Sequence, residues 1–162
     1  MRNFYKNNIL KDHRINTLDR IDDLELLEPI TRQKIIKIIA EAKQNGVELM
    51  IFETFRSTAR QQFLFEQGVT KLNEVGVHHF GLACDLVLNI NGIPSWEGDF
   101  SILGELSRKH GLIWGGDWGK PYEKNDFVDA AHLQRCSIIR QPSLFSFEWY
   151  PQNDYNPFKE VY

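Results

Sequence analysis

The sequence predicts an α+β domain in which helices pack on a small antiparallel sheet. Segments with apolar residues at helical spacing recur along the chain, and a glycine follows each of them where a helix would end. Short apolar segments lie between these helices, and one is followed by Asn91-Gly92, a strong signal for a two-residue hairpin. Helices combined with strands joined by hairpins are typical of α+β domains with an antiparallel sheet.

Three helices are predicted from their periodicity. The first covers about residues 31–45, where Thr31 is a candidate N-cap and Gly46 a C-terminal stop. The second covers about residues 58–67 and the third about residues 99–110, each with a glycine directly after it.

Four stretches of the chain are predicted as strands. Residues 47–55 alternate apolar side chains, residues 85–90 lead into the Asn-Gly turn, and 112–114 and 131–135 are short apolar segments. In the second strand, alternation places Asp85 on the face opposite its two apolar neighbours.

Length and charge limit the possible functions. The chain of 162 residues and 19.0 kDa is expected to form a single domain over residues 1–162, and to act as a monomer. A net charge of −3 and a pI of about 5.9 give no reason to expect a nucleic-acid partner. We expect synthesis in the cytoplasm without a signal peptide and no membrane insertion, because no apolar run approaches the ~18 residues of a membrane span.

The two ends of the chain are less regular in pattern. Residues 1–28 are polar, become acidic toward their end, and are expected to contain one short helix. Residues 136–162 form a C-terminal extension rich in Phe, Tyr and Trp. We interpret this extension as a segment that wraps the core, with an aromatic binding edge as the alternative.

His78 and Asp85 indicate a bend in the chain that would bring their two side chains together. Seven positions span ~10 Å along a helix and ~23 Å along a strand, so neither element brings the two side chains together. Gly81 lies between them and tolerates backbone angles that other residues avoid. The pair fits either a metal site, whose zinc ligands lie ~3.4 Å apart, or a structural contact between a buried histidine and an aspartate at a strand edge.

His132 and Asp129 favour the metal site. A carboxylate three positions before a histidine suits a centre in which the histidine binds the metal and the carboxylate accepts a proton from the attacking water. Two histidines and one aspartate leave a fourth zinc position open, as hydrolysis requires. The two cysteines, Cys84 and Cys136, are too few for a cysteine-rich zinc site.

Four ordered motifs resemble those of peptidase family M15, the VanY-like D-Ala-D-Ala carboxypeptidases and the endolysin-like L-alanyl-D-glutamate endopeptidases. They lie within a core of about residues 47–135. The motifs are Phe55-Arg56-Ser57 followed by Gln61, His78-x-x-Gly81-x-Ala83-x-Asp85, Gly111-Leu112-Ile113-Trp114-Gly115-Gly116-Asp117-Trp118, and Asp129-x-x-His132. The resemblance implies an M15/hedgehog-like fold in which the sheet carries a zinc site.

The resemblance also implies roles for individual residues. The counterparts of His78, Asp85 and His132 bind Zn²⁺, the counterpart of Asp129 is the general acid and base, and that of Arg56 stabilises the oxyanion. The pattern departs at Gly76, where the family often has a serine that we interpret as structural.

Three further residues are candidates for substrate binding. Gln61 either orients substrate or caps a turn. Asp117 either binds substrate or holds a ligand histidine in its proper tautomer as a hydrogen-bond acceptor. Trp114 is expected to form part of the core and of the cleft wall.

The leading hypothesis is a zinc peptidase that hydrolyses amide bonds in peptidoglycan stem peptides. The wording of the motifs favours the L-alanyl-D-glutamate endopeptidase branch, with D-Ala-D-Ala carboxypeptidase as the alternative. A phage or prophage lysis enzyme that reaches the cell wall after release would need no export signal.

Two hypotheses from other classes use the same residue types. A non-haem iron oxygenase also binds its metal through two histidines and a carboxylate, but its usual His-x-Asp places the first ligands two positions apart instead of seven. A non-catalytic, zinc-stabilised wall-binding domain would need neither Asp129 nor Arg56.

Overall fold

An antiparallel sheet carries the fold. The computed structural model describes residues 3–118 and 128–160, and within these the sheet has five strands. They are β1 (Leu49–Glu53), β2 (Ala83–Ile90), β3 (Ile93–Ser95), β4 (Ile113–Trp114) and β5 (His132–Gln134). Their order is β1-β2-β5-β4, and β3 pairs with the far end of β2. Each predicted strand is present, and the hairpin prediction is confirmed: Asn91 and Gly92 both have positive φ, as a type I′ turn requires.

Five α-helices surround the sheet within the described residues. They are α1 (Phe4–Asn7), α2 (Pro29–Gln44), α3 (Thr58–Glu66), α4 (Ser101–His110) and α5 (Gln141–Phe145). Helices α2 and α4 cover one face of the sheet through a buried apolar cluster that includes Ile35, Ile38, Leu86, Leu103 and Leu133. None of the helices in the described ranges combines the length and apolarity needed to cross a membrane.

The start of α2 differs from its prediction. Thr31 is not the N-cap: the helix begins two residues earlier, and the Glu28 side chain accepts hydrogen bonds from the Thr31 backbone N–H and hydroxyl at 2.8 and 2.9 Å. Pro29 occupies the first helical position, where its missing N–H costs nothing. The Glu28 carboxylate is buried against Arg135, a partner that is distant in sequence.

A second apolar cluster joins the two ends of the chain. Tyr5 and Ile9 from the N-terminal segment pack with Phe80, Leu144 and Tyr150. Residues of the C-terminal extension therefore contribute to the same body as the sheet, with Phe147 and Phe158 left more than half exposed.

The strand register positions the polar side chains that concern function. Asp85 on the central strand β2 lies opposite His132 of β5 on one side and Glu53 of β1 on the other. The pairing shifts between Ile51 and Glu53, so that Ile51 is opposite Leu86 and Phe52 is skipped. This irregularity, of the kind produced by a β-bulge, aligns Glu53, Asp85 and His132 in one row across the sheet.

Candidate metal centre

The predicted bend between His78 and Asp85 is present. A short 3₁₀ turn, Val77–Phe80, carries His78, and Gly81 then adopts a left-handed conformation with φ of 70° before β2 begins. A Cβ at Gly81 would lie only 2.6 Å from the carbonyl oxygen of Leu26, so both the backbone angle and the packing require glycine. His79 points elsewhere, and its Nε2 lies 2.8 Å from the Tyr5 hydroxyl.

The bend and the strand pairing bring the three predicted ligands together. His78 Nε2 lies 3.1 Å from Asp85 Oδ1 and 3.2 Å from His132 Nδ1, and the last two atoms are 3.0 Å apart. All three side chains are largely buried, with at most 9% of their residue surface exposed. These three atoms form a nearly equilateral triangle, which we call the donor triangle.

The outward nitrogens of the two histidines fix the chemistry of the donor triangle. His78 Nδ1 lies 3.1 Å from the carbonyl oxygen of Thr54, which can only accept a hydrogen bond. His132 Nε2 lies 3.0 Å from Gln134 Oε1, while the Gln134 amide nitrogen donates to the Cys136 carbonyl. The proton of each neutral imidazole therefore belongs on its outward nitrogen, and a lone pair faces inward.

A cation suits this arrangement. Three inward electron pairs at about 3 Å repel one another unless positive charge lies between them. Two imidazole nitrogens and one carboxylate oxygen are ordinary zinc donors, and tetrahedral zinc separates its ligand atoms by ~3.4 Å. The residues present therefore fit a zinc ion.

The charged groups of the centre also shift one another's pKa values. Burial opposes ionisation of Asp85, yet the neighbouring His78 and His132 hold its pKa well below the ordinary value. Burial likewise opposes protonation of His132, but the hydrogen bond to Asp85 and the Asp129 carboxylate raise the pKa of His132.

Asp129 approaches the centre through a turn. Its backbone N–H donates to the Gly115 carbonyl at 3.0 Å, and its own carbonyl accepts from the His132 N–H at 3.2 Å, so the chain turns through the two alanines between these residues. A Cβ at Gly115 would lie 2.4 Å from the Asp129 carbonyl, so this glycine admits the turn. Burial raises the pKa of Asp129. The charge of Asp85 also raises it, whereas His132 and His78 lower it without cancelling the rise.

Arg56 lies on the β1 side of Asp85, three residues after the end of that strand. Its Nη2 is 3.4 Å from Asp85 Oδ2, and its Nε donates to Glu53 Oε2 at 2.8 Å. Burial opposes the charged guanidinium, but the Glu53 and Asp85 carboxylates outweigh this and raise the pKa of Arg56. The predicted catalytic residues thus both lie next to the donor triangle.

The predicted substrate-binding residues are distributed differently. Gln61 is buried, accepts from Arg56 Nη1 at 3.3 Å, and donates to the Leu72 carbonyl at 2.6 Å. Trp114 donates from its indole to the Ala130 carbonyl at 2.8 Å, and so anchors the turn that contains Asp129.

Asp117 is not an acceptor for a ligand histidine, and that interpretation is wrong. Its carboxylate is half exposed and pairs with Arg108 at 2.7 Å. The acceptors are the Thr54 carbonyl and Gln134, which sequence reasoning missed. The sequence does contain a signal for Gln134. Residues two positions apart on a strand share a face, so Gln134 is expected beside His132.

Comparisons with known proteins agree with this site. A family model described as D-alanyl-D-alanine carboxypeptidase, of peptidase family M15, matches residues 71–135. The peptidoglycan L-alanyl-D-glutamate endopeptidase CwlK of Bacillus subtilis is 28% identical over 141 residues, covering 75% of this chain and 81% of that protein. An L-alanyl-D-glutamate peptidase of Listeria phage A118 is 29% identical over 108 residues, covering 64% of this chain and 36% of that protein.

Solved structures share the fold. The L-Ala D-Glu endopeptidase ChiX of Serratia marcescens aligns with a TM-score of 0.51 at 25% identity, covering 77% of this chain and 93% of that one. A zinc complex of the vancomycin-resistance D,D-pentapeptidase VanY aligns with a TM-score of 0.53 at 19% identity, covering 67% and 71%. Residues 71–135 thus match a model of peptidase family M15, and the chain shares its fold with solved L-Ala D-Glu endopeptidase and D,D-pentapeptidase structures.

Proposed function

We propose that the protein is a zinc-dependent endopeptidase that hydrolyses the L-alanyl-D-glutamate bond of peptidoglycan stem peptides. The observation that carries the proposal is the donor triangle, flanked by the partly buried carboxylate of Asp129, whose pKa is raised, and by the partly buried guanidinium of Arg56. The similarity to two L-alanyl-D-glutamate peptidases supports this choice of bond.

His78, Asp85 and His132 would hold the zinc ion. When bound, zinc supplies a Lewis acid and lowers the pKa of water toward neutrality. The ligands are held in place by neighbours, since both histidines keep their outward protons on fixed acceptors.

Asp129 is the proposed proton carrier. Among the described residues no donor lies within hydrogen-bonding distance of its carboxylate, so that carboxylate is available to accept a proton from the attacking water. A raised pKa makes this carboxylate a stronger base toward that proton, which Asp129 then passes to the leaving amine. Arg56 is the proposed donor to the oxygen of the scissile carbonyl, where negative charge develops.

Hydrolysis of D-Ala-D-Ala is the alternative, supported by the description of the matching family model. Digestion of purified peptidoglycan with zinc-loaded protein, followed by mass spectrometry, separates the two activities. An endopeptidase exposes a new amino terminus on D-glutamate, whereas a carboxypeptidase releases free D-alanine. Release of neither product by a zinc-loaded chain would overturn the proposal.

We further propose that the enzyme acts on the cell wall after release during lysis, in the manner of an endolysin. Similarity to a phage peptidase supports this placement. Rapid loss of turbidity when the protein is added to cells with permeabilised outer layers is the expected result. Walls that resist the protein while soluble stem peptides are cleaved would contradict it.

A further inference from the structure

The Glu53 carboxylate is the most buried charge near the centre, and neither the motifs nor the proposed mechanism uses it. Only 1% of the residue surface is exposed. A carboxylate in such a place is destabilising unless it is paired. Both of its oxygens are paired: Oε2 accepts from Arg56, and Oε1 accepts from Arg60 Nε at 2.5 Å.

The contact with Arg56 is made from two nitrogens of the guanidinium. Arg56 Nε lies 2.8 Å from Glu53 Oε2, and Nη2 bonds the same oxygen. Contacts from two nitrogens of a planar fork fix its rotation as well as its position, which a single contact would not. The shifted register of β1 places Glu53 opposite Asp85, so its carboxylate reaches the arginine from beside the metal ligand.

A count of donors shows what remains for substrate. A guanidinium has five N–H donors. The Nε hydrogen and one Nη2 hydrogen bond Glu53, the other Nη2 hydrogen faces Asp85, and one Nη1 hydrogen faces Gln61 Oε1 at 3.3 Å. Among the partners that the described residues supply, one Nη1 hydrogen is left over, and its direction is set by the plane that Glu53 fixes.

We propose that Glu53 is a positioning residue that acts through Arg56 and directs its free N–H toward the scissile carbonyl. The proposal rests on the proposed function, because Arg56 needs a substrate oxygen to bind. Arg60 provides a matched control: it bonds the other oxygen of Glu53 and the Leu18 carbonyl, and it has no bond to the donor triangle.

The test combines Glu53→Gln with Arg56→Ala in a double-mutant cycle on peptidoglycan fragments. The glutamine keeps the shape of Glu53 but gives up its charge, so we expect kcat to fall about 10- to 100-fold, as small misplacements near a reacting centre do. KM and bound zinc should stay near wild type. In the Arg56→Ala background, Glu53→Gln should lower kcat by about twofold or less, because the guanidinium that Glu53 positions is no longer there.

Arg60→Gln should lower kcat by less than about threefold. A loss of kcat in Glu53→Gln that persists fully without Arg56, or an equal loss in Arg60→Gln, would make Glu53 a local structural residue and overturn the proposal. If Glu53→Gln does not fold, Glu53→Asp keeps the charge while withdrawing the carboxylate, and the same cycle applies.

A second readout does not depend on activity. The Nε–H of Arg56 should give a shifted, slowly exchanging nitrogen-15 NMR signal in the zinc-loaded wild type, assigned by its loss in Arg56→Lys. That signal should move to the position of a free arginine in Glu53→Gln and stay in Arg60→Gln. An unmoved signal overturns the positioning role even if no substrate is cleaved, whereas a moved signal with an inactive wild type is a failure of the proposed function alone.

Discussion

At the residue scale, the centre separates the groups that would hold a metal from the group that would carry a proton. Asp129 lies three positions before His132 but outside the donor triangle, so Asp129→Asn should fold and bind zinc like wild type. Asparagine has the same shape and takes up no proton at neutral pH, so hydrolysis should fall by about 10²- to 10⁴-fold. Zinc content and turnover are measured together; loss of zinc would make Asp129 a ligand instead.

Gln134 gives a second prediction at this scale. Its Oε1 accepts from the outward nitrogen of His132, and its amide is held by the Cys136 carbonyl. Gln134→Leu removes that acceptor with little change of volume, so zinc affinity should fall about 10- to 100-fold. Competition with a chromophoric chelator measures it. Gln62→Leu, on the exposed side of α3, is the control, and equal affinities in the two variants would contradict the role.

At the element scale, the turn before β2 depends on one glycine. Gly81 and Gly46 both have positive φ, but a Cβ at Gly81 would overlap the Leu26 carbonyl, whereas nothing lies within 4 Å of one at Gly46. Gly46→Ala should therefore cost only the ~1–2 kcal/mol of a left-handed alanine. Gly81→Ala should cost more and also reduce zinc binding, because it displaces His78. Urea denaturation and zinc content test both, and equal losses of stability would contradict this difference.

The elements that sequence predicts best are those with local causes. The bend at Gly81 and the Asn91-Gly92 turn can be predicted from the sequence, because left-handed backbone angles favour a few residue types. Glu53 does not, because its place opposite Asp85 depends on a register shift in β1 that no local pattern marks. The cap of α2 was missed for a similar reason: Glu28 is held in place by Arg135, which is 107 positions away.

At the scale of the whole molecule, Arg135 joins three parts of the chain. The residue is fully buried, bonds Glu28 at the start of α2, and donates to the carbonyls of Gln152 and Asn153 in the C-terminal extension. Arg135→Met would leave the Glu28 charge buried without its partner, which typically costs about 3–5 kcal/mol of unfolding free energy.

The matched control is Arg140→Met, which removes a solvent-exposed pair with Glu160. Its unfolding midpoint in urea should stay close to that of wild type, because exposed ion pairs contribute little. Similar midpoints for the Arg135 and Arg140 variants would mean that the extension is held by its apolar contacts alone.

The donor triangle also makes metal uptake an acid-producing reaction. Without a metal, the raised pKa of His132 lets that ring keep a proton at pH values where a free histidine has lost it. Zinc must displace this proton, so loading at a pH below the raised pKa should release a proton, and apparent affinity should weaken as pH falls through the raised pKa. Calorimetry in buffers of different ionisation enthalpy measures the release, and a heat that is independent of buffer would contradict it. Acidification of the medium would then release the bound zinc reversibly. Hydrolysis would stop because the metal has left, with no change in the fold.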